Sequence, residues 1–359
     1  MASEAAGEAA AREPITVGTF CSGTDAPIFA LRQAGIPHRH VFSAETNKHA
    51  RTFIQANCPP ETLYGDIMAL DFATVPRVDL FVAGPPCQPF SNMNRNNSVR
   101  HTPSSATDID PRVAVLRRCL EYIKARQPKV AIIENVVALA KYWRVVPTVE
   151  EPREDDLSSF SATWNREMHP LIEDLRNSYD ISAQVLNPVH YDCPQNRPRV
   201  YVMLVEKSLS PISFPPHVPL TRSYSDFLED HSVSHNDTLS DYCQTLIDRA
   251  HTKFGTSWRP GITNQNTLPL QLRDHCIPLR PFARCLLANK RSFVYDHTRK
   301  RFLTNREAFR LQGFAEPITF PASLTRAQLH RLAGNAMNVT VLEHLLLHVL
   351  VQAIIGRVG

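Results

Sequence analysis

Val78-Asp79-Leu80-Phe81-Val82-Ala83 leads into Gly84-Pro85-Pro86-Cys87-Gln88-Pro89-Phe90-Ser91. An apolar, β-leaning run of that length, stopped by Gly and two prolines, predicts a buried strand whose carboxyl end opens into a stiff turn. Pro85, Pro86 and Pro89 each fix φ and remove an amide donor, which holds the backbone around Cys87 out of helix and sheet. Such a turn presents a thiol, although read alone Cys87 is equally a small core hydrophobe, as most free cysteines are. The second half of the pattern shifts the balance. Val130-Ala131-Ile132-Ile133-Glu134-Asn135-Val136 predicts another buried strand, and it ends on a carboxylate. Ligands of open α/β sheets sit at the carboxyl ends of the strands, so these two strands would bring a thiol and an acid to one edge.

The chain has 359 residues, 43% of them hydrophobic and 21% charged, enough to bury a full core and a smaller second one. A globular, soluble protein is expected, with no apolar run approaching the length that crosses a bilayer and no membrane partner. Residues 1–13 are alanine-rich, interspersed with acids, and lack the apolar centre of a signal peptide, so they read as a disordered tail. The eight cysteines, at 21, 58, 87, 119, 193, 243, 276 and 285, include no C-x-x-C pair, so neither a metal site nor a disulfide framework is expected. A reducing, intracellular setting follows, nuclear in a eukaryote. The net charge of +4 is too small to name a partner.

Residues 15–20 predict the first strand and 21–25 a turn into a helix over 26–33, with Gly35 as its stop. A Gly-containing strand-to-helix turn lets a ligand approach backbone amides and the positive helix end. A second strand over 39–44 ends at Glu45, ahead of a helix over 47–57. A carboxylate there can accept from both hydroxyls of a ribose, or can favour the helix N-terminus. Gly65-Asp66-Ile67 follows the next short strand, and Gly-Asp is also an ordinary turn pair. Residues 92–110, which include Arg95, form a loop longer than compact domains usually carry. It reads either as a disordered excursion or as a segment that closes over a substrate and touches phosphates. A helix over 111–126, an acidic solvated loop over 147–160, a helix over 164–177 and strands over 179–186 and 200–205 follow. Arg197 and Arg199, at spacing two on an extended backbone, face the same way. From about 209 to 301 the pattern fails. Between 273 and 310 eight Arg and two Lys stand against three acids, 10 − 3 = +7, which is an electrostatic footprint for a phosphate backbone or a solvated basic face. Helices are predicted over 303–313 and 339–355.

Gly84-Pro-Pro-Cys-Gln-Pro-Phe-Ser91, Glu134-Asn-Val136, Gln195-Asn-Arg-Pro-Arg199, Leu303-Thr-Asn-Arg-Glu-Ala-Phe-Arg-Leu-Gln-Gly313 and Gly334-Asn-Ala336 together resemble the ordered motif set of the cytosine-C5 DNA methyltransferases. Each motif is weak by itself; five in the family's order, over nearly the whole chain, are specific. The resemblance implies an α/β, Rossmann-like S-adenosylmethionine-dependent methyltransferase domain, built from residues 14–208 and completed by 302–359, with a smaller target-recognition lobe inserted at 209–301. It implies Cys87 as nucleophile, Glu134 as the acid holding the base, Arg199 reaching the base and the acid, and Arg197 bracing the site. S-adenosylmethionine would be held by Phe20 against the adenine, Gly23, Glu45 on the ribose, Asp66 and Ile67, Pro86 and Asn335. Double-stranded DNA would be held by Ser91, Arg95, Arg280, Arg284, Lys290, Arg291, Arg299 and Lys300, with no metal involved. The chain departs from the family where the usual second and third glycines are Asp25 and Ala26, and where the usual acid before the aromatic is Gly18. One branch of the family acts on transfer RNA and usually carries Cys-Phe-Thr in its recognition region. That tripeptide is absent here, which favours DNA over RNA. A catalytically weak nucleic-acid-binding homologue is the other alternative, suggested by the altered glycine turn and opposed by Cys87, Glu134 and Arg199.

Overall fold

Short apolar runs alternating with helices give a parallel sheet, because a strand buried on both faces needs apolar residues at every position. The computed structural model describes residues 13–86, 111–143, 164, 168–209, 211–229, 245, 248, 252, 262–264, 282–286, 294–296, 301–315 and 317–355. In chain order they form β1 (Ile15–Phe20), α1 (Ala26–Gln33), β2 (His38–Ala44), α2 (Lys48–Asn57), β3 (Thr62–Tyr64), β4 (Leu80–Ala83), α3 (Pro111–Arg126) and β5 (Val130–Val136). Then come α4 (His169–Leu175), β6 (Tyr179–Leu186), β7 (Gln195–Asn196) and β8 (Arg199–Glu206). Short strands follow, β9 (Ile262–Asn264), β10 (Ala283–Arg284), β11 (Val294–Asp296) and β12 (Arg301–Phe302), and then α5 (Asn305–Leu311), α6 (Arg326–Asn335) and α7 (Val339–Leu350).

The main sheet has seven strands in the order β3-β2-β1-β4-β5-β8-β6. From β3 to β5 neighbours are parallel, while β8 runs antiparallel to both β5 and β6. Two features of this order place the site. The order reverses direction between β1 and β4, which opens a crevice at their carboxyl ends. The reversed β8 brings its first residue to that same edge, with Arg199 opposite Val136 and Tyr201 opposite Glu134.

Strand alternation divides the core into two layers. Leu80, Val82, Val130 and Ile132 enter one layer with Ile28 and Leu31 of α1 and Leu342, Leu345, Leu346 and Val349 of α7. Phe81, Ala83, Ala131 and Ile133 enter the other with Phe20, Phe42, Tyr122 and Ile123. The last helix therefore packs against the first, and the chain closes on its own start. Residues 326–353 correct one expectation, since their length and composition would suffice to cross a membrane, yet 67% of the most apolar window is buried inside the protein. That burial is the signature of a core helix, and its apolar content serves the layer shared with α1. The small antiparallel sheet β9-β11-β12 continues past position 301, with Asp296 opposite Arg301. Apart from residue 13, the expected tail lies outside the described residues, as do the loops at 92–110 and 147–160.

Candidate active site

The end of β4 is held from three sides. Gly84 donates its amide to the Phe20 carbonyl of β1 at 3.2 Å, and Asn135 Nδ2 of β5 donates to the Pro85 carbonyl at 3.2 Å. A Cβ on Gly84 would lie 2.6 Å from Met337 Cε, the far end of a flexible side chain, so the segment following α6 packs beside the turn and would have to shift Met337 to admit a larger residue. Cys87 continues from this fixed turn and lies, with Ser91 and Arg95, outside the described residues.

Glu134 stands on the neighbouring strand β5, 8% exposed. Its Oε1 lies 3.3 Å from Arg199 Nε across the antiparallel pair, close enough for an ion pair yet without a hydrogen bond among the described residues. Arg199 also donates through Nη1 to the Pro198 carbonyl at 2.8 Å. Arg197 is buried deeper, and its guanidinium donates to the carbonyls of Leu286 at 3.4 Å, Gly334 at 3.2 Å and Ala336 at 2.8 Å. Its backbone amide donates to Asn187 Oδ1 at 3.0 Å. The two arginines thus divide the work by depth, Arg199 at the edge and Arg197 among backbone carbonyls below.

The β1–β2–β3 side of the same edge carries the cofactor candidates. Gly23 has φ 57, and nothing lies within 4 Å of a Cβ built on it or on Gly65, so the space over both loops is open. Between them, Glu45 accepts from the Gly23 amide through Oε2 and from the Asn47 amide through Oε1, both at 2.7 Å. Each carboxylate oxygen has a second lone pair, so the acid that braces the loop and starts α2 can still accept from a diol. Asp66 is exposed and caps the turn that Ile67 begins, its Oδ1 accepting from the Met68 amide at 2.9 Å. Pro86 and Asn335 are exposed, and Asn335 closes α6 two residues before Met337.

The model of the C-5 cytosine-specific DNA methylase family matches residues 15–350. The chain belongs to that family. It is similar to the type II methyltransferase M.NgoBI of Neisseria gonorrhoeae, 28% identical over 307 residues, covering 85% of this chain and 84% of that one. It is also similar to M.HaeII of Haemophilus aegyptius, 27% identical over 311 residues, with 85% and 84% covered. Among solved structures, the S. pombe Dnmt2 methyltransferase superimposes with a TM-score of 0.61 at 18% identity, covering 94% of this chain and 98% of that one. The Entamoeba histolytica methyltransferase EhMeth gives 0.60 at 16% identity, covering 94% and 98%. At those identities the two structures bear on the fold, which is the S-adenosylmethionine-dependent methyltransferase fold.

Against this family frame the methylase shows where its departures come from. Asp25 sits at φ 53, ψ 43, a left-handed position that suits glycine and that Asp tolerates because its short side chain bonds locally. Its Oδ1 accepts from Thr19 Oγ1 and its Oδ2 from Ser43 Oγ, both at 2.6 Å. Gly18 lies at an irregularity in the β1–β2 register, and any Cβ there would run into the Phe42 ring, so the family's acid has no room. The Phe20 ring is buried among Phe42, Phe72, Phe81 and Tyr122, with centroids 5.0–5.9 Å away, at the end of β1 beneath the Gly23 turn. The open loops, Glu45 and the exposed Asp66 still fit an adenosyl group lying across the strand ends.

Cys285 had no signal in the sequence, since it falls in the patternless 209–301 interval. Its sulfur meets both arginines, at 3.1 Å from Arg197 Nη1 and 3.7 Å from Arg199 Nη2. Of the expected DNA-binding residues, Arg280, Lys290, Arg291, Arg299 and Lys300 lie outside the described residues. Arg284 is on β10, beside β7. Part of the positive charge counted between 273 and 310 is neutralised internally. Arg301 is buried, with Nη2 2.6 Å from Glu307 Oε1, and Arg306 Nε lies 3.4 Å from Glu229 Oε1.

Proposed function

We propose that this methylase transfers a methyl group to C5 of cytosine in DNA through a covalent bond between Cys87 and C6 of a flipped base. The observation that carries the reading is the Glu134–Arg199 pair, an acid and a guanidinium 3.3 Å apart on neighbouring antiparallel strands, beside the turn that leads to Cys87. C5 of cytosine is a poor nucleophile until a thiolate adds at C6 and converts the ring to an enamine. A guanidinium at this edge favours the thiolate form of a neighbouring thiol. Glu134 holds N3 and the exocyclic amine, supplying a proton to N3 as charge develops, while Arg199 orients the acid and the ring. S-adenosylmethionine, when bound over the Gly23 and Gly65 loops with its ribose at Glu45, supplies the electrophilic methyl. A base then removes the C5 proton and Cys87 leaves. C6 is unreachable inside a duplex, so the cytosine must leave the stack. The basic residues Arg280, Arg284, Lys290, Arg291, Arg299 and Lys300 would hold the backbone. The chemistry needs a reduced thiol, hence a reducing intracellular compartment.

Fluorine in place of the C5 proton blocks the elimination, so DNA containing fluorocytosine should trap protein, methyl group and DNA together, with the bond mapping to Cys87. Cys87→Ser should abolish the adduct and lower turnover by orders of magnitude, because a hydroxyl is mostly un-ionised where a thiol is a few per cent thiolate. Full activity in that variant refutes the mechanism. An adduct formed on RNA alone moves the substrate to transfer RNA.

A further inference from the structure

β10 runs parallel to β7, with Ala283 opposite Gln195 and Arg284 opposite Asn196, and the Ala283 amide donates to the Pro194 carbonyl at 2.7 Å. Ala283 and Leu286 are both buried in the main apolar layer. The residue between these anchors and the arginines is therefore fixed in place. Cys285 Sγ lies 3.1 Å from Arg197 Nη1 and 3.7 Å from Arg199 Nη2. On its other side Arg199 turns Nε toward Glu134 Oε1 at 3.3 Å. That oxygen is buried and, beyond this ion pair, has no hydrogen bond among the described residues. One guanidinium thus spans a sulfur and a carboxylate that come from parts of the chain about 150 residues apart.

We propose that Cys285 is a positioning residue for methyl transfer: seated between Arg197 and Arg199, its sulfur fixes the Arg199 guanidinium where it can serve Glu134 and the target cytosine together. This rests on the reading of Glu134 and Arg199 as the groups that hold the base. Burial alone would push the Cys285 thiol up, but the Arg197 and Arg199 charges outweigh it and hold the thiol below its ordinary range. The sulfur accepts charge-assisted bonds from both guanidiniums. When protonated it has a different bond to make, to the Leu286 carbonyl 3.4 Å away. Tyr201, opposite Glu134 on β8, is pushed up by burial and stays neutral, so it does not compete for either arginine. Alanine at 285 would withdraw a partner from both guanidiniums at once. Serine would keep an acceptor on a shorter bond.

Wild type, Cys285→Ala and Cys285→Ser are compared in steady-state methyl transfer to DNA and in adduct trapping on fluorocytosine DNA, with thermal melting recorded for each. The expected result is a fall in kcat of at least about tenfold for Cys285→Ala, the scale of a displaced catalytic group. The KM for DNA and for S-adenosylmethionine should change little, and Cys285→Ser should recover part of kcat. A fall confined to KM, or wild-type kcat in Cys285→Ala, overturns the proposal. Should Cys285→Ala fail to fold, Cys285→Ser and Cys285→Val carry the same comparison, and equal kcat in the two overturns it as well, because valine fills the space without accepting a bond. Wild type forming no adduct at Cys87 instead overturns the reaction assigned to the site, and the role of Cys285 with it. Adduct formation by wild type, with unchanged trapping rates in all variants, sinks the positioning role alone.

Discussion

Asp25 has no exposed surface, and its carboxyl group is pushed up to about 7 by burial, only partly offset by the Ser43 and Thr19 hydroxyls, with the Glu45 charge adding to the rise. Among the described residues no Lys or Arg pairs with it. His40 Nε2 is 3.8 Å away, but burial lowers that imidazole to about 4, so it is neutral near pH 7. A carboxyl whose folded pKa lies above its unfolded one binds more protons in the fold, so its contribution to stability falls as pH rises from about 4 to 7 and is flat beyond. His40 and His330, both lowered to about 4, have the opposite slope, so the comparison must be between variants. Asp25→Asn, which can still bond Thr19 and Ser43, should gain stability relative to wild type across that window. The gain should approach about 1.4 kcal/mol per pH unit, and urea unfolding at a series of pH values reads it. A pH-independent difference would mean that Asp25 titrates normally. At this scale the sequence was legible where spacing alone places a side chain, as for Glu134 at the end of an apolar run and Arg199 before one. It was silent on Asp25, whose partners Ser43 and His40 come from a neighbouring strand.

The start of α5 shows how one element is pinned by partners that its own sequence does not reveal. Thr304 and Glu307 form a capping box, yet the Glu307 carboxylate also accepts from Arg301 Nη1 at 2.8 Å and Nη2 at 2.6 Å, and from the Glu229 amide at 2.8 Å. Burial would raise this carboxyl, but Arg301 and the two amides hold it below the usual range. Glu307→Ala leaves Arg301 buried without its counter-ion, and breaking one side of such a pair costs roughly 3–5 kcal/mol. The paired replacement Arg301→Met with Glu307→Leu removes both charges and should recover most of that loss. Equilibrium unfolding of wild type, the single variant and the double variant distinguishes the two, and a double variant as unstable as the single one would show that the pair is needed for more than neutralising charge. The predicted span 303–313 overran this helix at both ends, taking in Leu303 and the Thr304 cap before it and Gln312 and Gly313 after it. α6 was missed, although Thr325 and Gln328 spell the same capping box. The antiparallel sense of β8 was beyond reach, since alternation has the same period in either direction.

For the whole molecule, the question is how the segment proposed to meet DNA is tied to the segment proposed to meet cofactor, and Arg197 answers it in one side chain. Its guanidinium bonds the Leu286 carbonyl in the 209–301 interval and the Gly334 and Ala336 carbonyls at the end of α6. Met337, next along, lies against the Gly84 turn that leads to Cys87. A displacement of either segment is therefore felt by the other through a buried, rigid fork. Lysine cannot replace it, because a single ammonium cannot present donors in the fork's geometry to carbonyls on two sides. Arg197→Lys should strand at least one buried carbonyl, at a cost of about 1–3 kcal/mol in stability. It should also weaken the communication between ligands. In wild type, a bound cofactor analogue such as S-adenosylhomocysteine should tighten DNA binding by some factor, and DNA should tighten the analogue by the same factor, since linkage is reciprocal. In Arg197→Lys that factor should shrink toward one even when each ligand still binds alone. Titration of DNA with and without the analogue, in both proteins, measures it; an undiminished factor in the variant would mean that the two segments communicate through the sheet and not through Arg197.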